Sequence, residues 1–197
     1  MIGRRWIGVF LTAVLLFFSF SGVLRAQDKT MTPLSGKEIP MIEGIQMLEV
    51  GSSAPPFALK DLKGESFDLS RHLGQKQFLL VFWSIFCEPC RYEMPLIQNI
   101  HKKYEDKGLE VLAVAIDGDP LKNAIAGFVK QEGYSFRVLI DELDEEEFFK
   151  VADPYGVAGT PTIYIVDRSG KIAFSRVGSI TEKELEKEIT AVLKSGP

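Results

Sequence analysis

From residue 51 onward, unbroken apolar runs alternate with stretches in which apolar residues recur every three or four positions. Residues 78–83 read Phe-Leu-Leu-Val-Phe-Trp, the pattern of a strand buried on both faces. Residues 87–107 place Met94, Ile97, Ile100, His101 and Tyr104 at helical spacing, and Gly108 is a natural helix stop. A second buried strand is expected at 109–116, a second helix at 121–131 ended by Gly133, and strands at 136–140 and 162–166. The turn Asp167-Arg168-Ser169-Gly170 should fold 171–177 back antiparallel to the preceding strand. Residues 57–60 and 66–69 flank Lys63-Gly64 as a small hairpin. A last helix at 181–193 opens on the capping box Thr181 and Glu184. Strands alternating with helices and closed by a hairpin and a helix predict an α/β fold, a central mixed sheet with helices on both faces. The run 141–147 holds six acids in seven residues and reads as a solvated helix start, where acids suit the helix dipole.

The first 26 residues do not share this pattern. They contain no acid, begin with Arg4 and Arg5, and carry no charge from Trp6 to Leu24. A basic start, a short apolar stretch and a small-residue tail describe a secretory signal peptide. Leu24 at the −3 place of a cut after Ala26 is a poor fit, and the uncharged run is long enough to cross a bilayer, so an uncleaved membrane anchor is the alternative. In both cases residues 50–197 form one exported domain, and the polar segment 27–49 is a linker or arm. Without residues 1–26 the chain has 20 basic and 27 acidic residues, a net charge near −7. An acidic chain is a poor partner for phosphate backbones, which argues against nucleic acid.

The whole chain has two cysteines, Cys87 and Cys90. They cannot build a disulfide framework or a four-cysteine zinc site, and only His72 and His101, read as helix-surface residues, could add ligands, so no metal is expected. They can form one redox couple. A buried strand ends at Trp83, and a helix starts at Cys87, where free backbone N–H groups stabilise a thiolate. Pro89 falls in the first helical turn, where its missing N–H costs nothing. One thiolate can attack a substrate disulfide and the other thiol can resolve the mixed disulfide.

Trp83 four residues before Cys87, Pro95 five residues after Cys90, and Gly159-Thr160-Pro161-Thr162 ahead of a strand resemble the thioredoxin superfamily. The Glu88-Pro89 dipeptide between the cysteines, the following Glu93-Met94-Pro95 and the export signal resemble its TlpA/ResA-like group, thiol–disulfide oxidoreductases of which several serve cytochrome c maturation. The resemblance spans about 50–193. It implies a thioredoxin-like fold with an extra strand and helix between the CxxC helix and a cis-proline loop. It implies Cys87 as nucleophile and Cys90 as resolving thiol. Thioredoxin's buried aspartate is replaced by Val81, and the group's pattern offers Glu93 as the proton acceptor. The resemblance also implies a substrate cradle at Thr160 and Pro161, with a collar of Trp83, Phe86 and Pro161 and with Glu88 and Pro89 beside the nucleophile. Electrons would come from a membrane thiol-transfer protein and pass to disulfide-containing proteins such as apocytochrome c, with no organic cofactor. The negative charge of Glu88 near Cys87 favours the reducing direction. An oxidase or isomerase, or a non-catalytic docking module at the membrane, are the alternatives.

Overall fold

In a computed structural model, residues 46–195 are described. The signal or anchor segment 1–26 and most of the 27–49 arm lie outside them. Seven strands form one mixed sheet: β1 Ala58–Asp61, β2 Ser66–Asp68, β3 Gln77–Trp83, β4 Leu109–Ala115, β5 Arg137–Ile140, β6 Thr162–Val166 and β7 Ile172–Val177. Three helices accompany them: α1 Glu88–Tyr104, α2 Lys122–Glu132 and α3 Glu182–Lys194. The strand order is β2-β1-β5-β4-β3-β6-β7. Strands β3, β4 and β5 are parallel, and the pairs β3–β6, β6–β7, β1–β5 and β1–β2 are antiparallel. Strand β4, helix α2 and strand β5 lie between the CxxC helix and the Pro161 loop, which leaves room for the expected extra strand and helix.

Every residue of β3 is buried, which explains its unbroken apolar run. Alternate side chains divide between two cores. Leu79, Val81 and Trp83 join Met94, Ile97 and Ile100 of α1, Ile125 of α2, and Leu185 and Ile189 of α3. Phe78, Leu80 and Phe82 point the other way, into a core with Phe57, Phe67, Tyr155 and Tyr164.

That division corrects one expectation: all three helices pack on the first face. The steps from β3 to β4 and from β4 to β5 go the same way along the sheet, so right-handed crossovers put α1 and α2 on one side. The second face is covered by irregular chain, including Met47, Leu48, Ala54, Val151 and Ala152. Met47 and Leu48 therefore pack with the domain, although both lie in the expected arm. The Leu48 N–H donates to Tyr164 Oη at 3.2 Å, and Tyr164 Oη donates to the Tyr155 carbonyl at 2.5 Å. Gly156, at φ +64°, lets residues 46 and 47 run close by: a Cβ there would sit 1.9 Å from the Gln46 carbonyl oxygen.

The acidic run is a second correction. Residues 141–150 form no helix. The chain folds back on itself through a Leu143–Phe149 bridge, and Asp144 accepts from the Glu146 and Phe148 N–H groups. Short acidic side chains captured the local backbone, which competes with helix formation.

Candidate active site

The parallel strands β3, β4 and β5 end at the same edge of the sheet, and three loops leave from there. The first joins β3 to α1 and carries the cysteines. Cys87 is the N-cap of α1, and its Sγ accepts from the Cys90 N–H at 3.2 Å. A disulfide joins Cys87 and Cys90 with Cα atoms 5.2 Å apart. Cys87 is half-buried, while Cys90 is 1% exposed. One sulfur thus faces the surface and one is sheltered, as nucleophilic attack and resolution require. Pro89 lies in the first turn of α1 and is exposed. Glu88, also exposed, opens that turn and accepts from Tyr92 Oη at 3.4 Å.

Behind the cysteine turn stands a residue that sequence reasoning missed. Asp117, in the loop after β4, accepts from Ser84 Oγ at 2.6 Å and from the Ile85 N–H at 3.0 Å. Ser84 Oγ in turn accepts from the Phe86 N–H at 3.1 Å, and the Cys87 N–H donates to the Ser84 carbonyl at 3.1 Å. The contact spans 33 residues, and Asp117-Gly118-Asp119-Pro120 reads locally as an ordinary turn, so no signal in the sequence pointed to it.

Glu93, three residues beyond Cys90 on α1, is 6% exposed. Its Oε1 accepts from the Ile180 N–H at 2.5 Å, and its Oε2 is buried with no partner among the described residues. Burial pushes its carboxyl above the usual range, against the opposing pulls of the Ile180 N–H and the Arg176 charge. Val81 is buried in the helix-side core, so this strand position carries no acid.

Thr160 and Pro161 precede β6, joined by a cis peptide bond. Thr162 pairs with Phe82, so the loop lies at the end of β3 from which the cysteine turn departs. The Pro161 carbonyl accepts from the Gly178 N–H at 2.8 Å, and Thr162 Oγ1 donates to the Gly159 carbonyl at 2.6 Å. Thr160 is half-buried and Pro161 buried.

The expected collar is only partly present. Phe86 is 76% exposed, but Trp83 is fully buried, with its ring 5.9 Å from that of Phe128. Trp83 therefore acts as packing beneath the site and touches nothing outside it. Both histidines are partly exposed, His101 on α1 and His72 just after a short turn of helix. His72 stacks on Phe67 with centroids 4.9 Å apart, and His101 Nε2 pairs with Glu105 at 3.1 Å.

A buried central sheet, a disulfide at a helix N-terminus and a cis-proline loop at the same sheet edge define a thioredoxin-like redox protein. Comparison with known proteins agrees. Residues 49–193 match the redoxin family model. The chain is 35% identical over 141 residues to the thiol-disulfide oxidoreductase ResA of Bacillus anthracis, covering 72% of this chain and 77% of that one. It is 36% identical over 143 residues to the thioredoxin-like protein YneN of Bacillus subtilis, covering 72% and 79%. Among solved structures it is similar to a Chlorobium tepidum protein assigned as the thiol:disulfide interchange protein DsbE, with TM-score 0.64, 33% identity, and 74% and 99% of the two chains covered. The chain belongs to the redoxin family and, within the thioredoxin superfamily, to the TlpA/ResA-like thiol–disulfide oxidoreductases. It is a thioredoxin-like protein-disulfide reductase.

Proposed function

We propose that this chain is an exported reductase of extracytoplasmic protein disulfides, with Cys87 as nucleophile and Cys90 as resolving thiol. The observation that carries the reading is the asymmetry of the pair: a half-buried Cys87 capping α1 and a buried Cys90. In the reduced protein the Cys87 thiolate attacks one sulfur of a substrate disulfide, and the other substrate sulfur leaves as a thiolate. Cys90 then gives up its proton and attacks the Cys87 sulfur. The second substrate sulfur is released, and the Cys87–Cys90 disulfide forms. Two electrons have passed to the substrate.

Glu93 takes the Cys90 proton in this scheme. A carboxylate with a raised pKa and one free oxygen suits that task. The backbone at Thr160, ahead of Pro161, offers an edge to an extended substrate, and exposed Phe86 offers an apolar contact beside Cys87. Glu88 keeps a negative charge near the nucleophile and favours the reducing direction. Electrons come from a membrane thiol-transfer protein, no organic cofactor or metal takes part, and apocytochrome c is a fitting substrate.

Three measurements test this. Insulin reduction by the mature domain must depend on Cys87. Cys90→Ser expressed in the periplasm must hold its natural substrates as mixed disulfides on Cys87, and recovery of apocytochrome c would place the chain in cytochrome c maturation. Absence of every extracytoplasmic protein from the trap would overturn the exported role. A potential nearer about −270 mV than about −120 mV supports reduction, whereas a value above about −180 mV assigns an oxidase or isomerase.

A further inference from the structure

We infer that Asp117 is a positioning residue that holds the cysteine turn and keeps the Cys87 thiolate from being over-stabilised, so that it tunes the couple toward reduction. The inference rests on Cys87 being the attacking sulfur. Residues 84–86 lie between the end of β3 and Cys87, and the turn they form offers the Ser84 hydroxyl and two backbone N–H groups. All three are committed elsewhere. Asp117 accepts from Ser84 Oγ–H and from Ile85 N–H, and Ser84 Oγ accepts from Phe86 N–H. A sulfur at a helix N-terminus draws its stability as thiolate from just such free donors. Here the Ser84 hydroxyl and the Ile85 N–H face a carboxylate instead, the Phe86 N–H is taken by Ser84 Oγ, and the Cys90 N–H is left as the donor to Cys87 Sγ. That carboxylate also brings a negative charge to the turn, only two residues from Cys87 at Ile85, and a like charge disfavours a thiolate.

The clamp comes from a different strand than the one it holds. Asp117 follows Ile116, whose N–H donates to the Trp83 carbonyl at 3.0 Å, so the parallel pairing of β3 and β4 extends past the last paired residues and delivers the carboxylate to the turn. The position of Asp117 is therefore set by the sheet and does not depend on the cysteine loop. Residues Ser84 and Ile85 are half-buried, which limits the solvent that could replace these bonds.

The redox consequence follows from the balanced equilibrium. The Cys87–Cys90 disulfide and two glutathione thiols exchange two electrons and two protons to give the dithiol and glutathione disulfide. Anything that stabilises the Cys87 thiolate stabilises the dithiol side and makes the oxidised protein a stronger oxidant. Removing Asp117 frees the Ser84 hydroxyl and the Ile85 N–H and deletes a like charge, so both effects push the same way.

The test uses the mature domain with wild type, Asp117→Ala, Asp117→Asn and Ser84→Ala. Three readouts are taken: the pH profile of Cys87 alkylation in the reduced protein, the glutathione equilibrium, and thermal unfolding. Asp117→Ala is expected to lower the pH midpoint of alkylation and to shift the glutathione equilibrium toward the dithiol by about threefold or more. Ser84→Ala, which frees only the Phe86 N–H, is expected to move both in the same direction by less. Asp117→Asn keeps an acceptor oxygen without the charge, and is expected to shift them in the same direction while keeping the unfolding transition of wild type. It carries the test should Asp117→Ala fail to fold. Unchanged profiles and equilibria in Asp117→Asn, or shifts toward a less stable thiolate, would overturn the inference. Failure of wild type itself to reduce glutathione disulfide or insulin would instead overturn the reading of Cys87 on which it rests.

Discussion

Two loops leave the same edge of the sheet, and each is followed in the chain by, or opens on, a buried carboxylate of raised pKa. After β3 the chain forms the cysteine turn and then α1, which carries Glu93. After β5 it forms the acidic loop, with Asp141 at its root. Asp141 is fully buried, and its two oxygens accept from the Glu142, Val151 and Ala152 N–H groups at 2.9, 3.2 and 2.8 Å. Burial pushes its pKa up to about 6. Among the described residues, Glu93 accepts one N–H and leaves its other oxygen without a partner. Desolvation is the leading cause of both shifts, yet the two groups differ in what remains unbonded. A buried carboxylate with both oxygens engaged is a brace. One with a free oxygen, three residues along α1 from Cys90, has the capacity to take up a proton that the proposed mechanism asks of it.

If the chemistry resides wholly in the first region, the largest effects lie there. Cys87→Ser is expected to abolish disulfide exchange, since the remaining thiol, Cys90, is 1% exposed and sheltered from a substrate disulfide. Cys90→Ser should still attack and should accumulate mixed disulfides, which non-reducing electrophoresis would reveal. Trapping by Cys87→Ala and not by Cys90→Ser would reverse the two roles.

The second region should govern stability. Asp141→Asn retains one oxygen for the Glu142 and Val151 N–H groups but presents an amide donor to Ala152 N–H. Leaving that buried donor unpaired costs about 1–3 kcal/mol. Its pH signature has a definite sign. The folded pKa of about 6 lies above the ordinary 3.8, so the folded state binds this proton more tightly. The associated stability is complete below pH 3.8 and is lost as pH rises through about 6. Urea unfolding of wild type should show this downward slope, and Asp141→Asn should remove its share of it. Exchange rates measured well below the unfolding midpoint should be close to wild type. Loss of exchange comparable to a cysteine variant would merge the two regions and end the contrast.

The cysteine region was far more legible in the sequence than the acidic one, and the reason is range. The helix start, Pro89 and the sulfur spacing are set within a few residues, as are the Thr181–Glu184 capping box and the Gly108 and Gly133 stops. Glu93 could be singled out by its spacing from Cys90, but its Ile180 partner lies 87 residues away. Asp117 meets Ser84 across 33 residues, and only the pairing of β3 with β4 brings them together. In the acidic run, charge suggested solvent exposure, yet Asp141 turned inward because backbone N–H groups from 151 and 152 needed an acceptor. Trp83 ends a strand expected to be buried on both faces, and strand alternation carries it into the helix-side core and away from the collar that the family resemblance implies.

Glu93→Gln sharpens the comparison from the other side. It keeps size and an acceptor for the Ile180 N–H, and removes proton exchange. Disulfide exchange at neutral pH should slow by roughly tenfold, within the range for general acid–base groups, and thermal unfolding should move less than in Asp141→Asn. The deficit should shrink toward pH 9, where Cys90 ionises without help. A wild-type rate across pH 6 to 9 would reduce Glu93 to a brace like Asp141.

The smallest effect belongs to Glu88, a third carboxylate, exposed and held only by a 3.4 Å contact from Tyr92 Oη. It opens α1, directly after Cys87, so its charge opposes the thiolate. Water screens it, unlike the carboxylates inside, and exposed charge interactions are worth well under 1 kcal/mol in most cases. Glu88→Gln should therefore shift the glutathione equilibrium toward the dithiol by about twofold at low ionic strength. Near 1 M salt, where screening acts over about 3 Å, the shift should fade. Glu88→His at a pH below about 6 should exceed Glu88→Gln, because the imidazolium adds attraction to the removed repulsion. Salt is the discriminating variable. An Asp117→Asn shift that survives high salt alongside a Glu88→Gln shift that does not would show that a clamp held within the fold acts on the thiolate differently from a charge on its surface. Equal loss of both in salt would mean that charge alone sets the potential, and the hydrogen-bonded turn adds nothing to it.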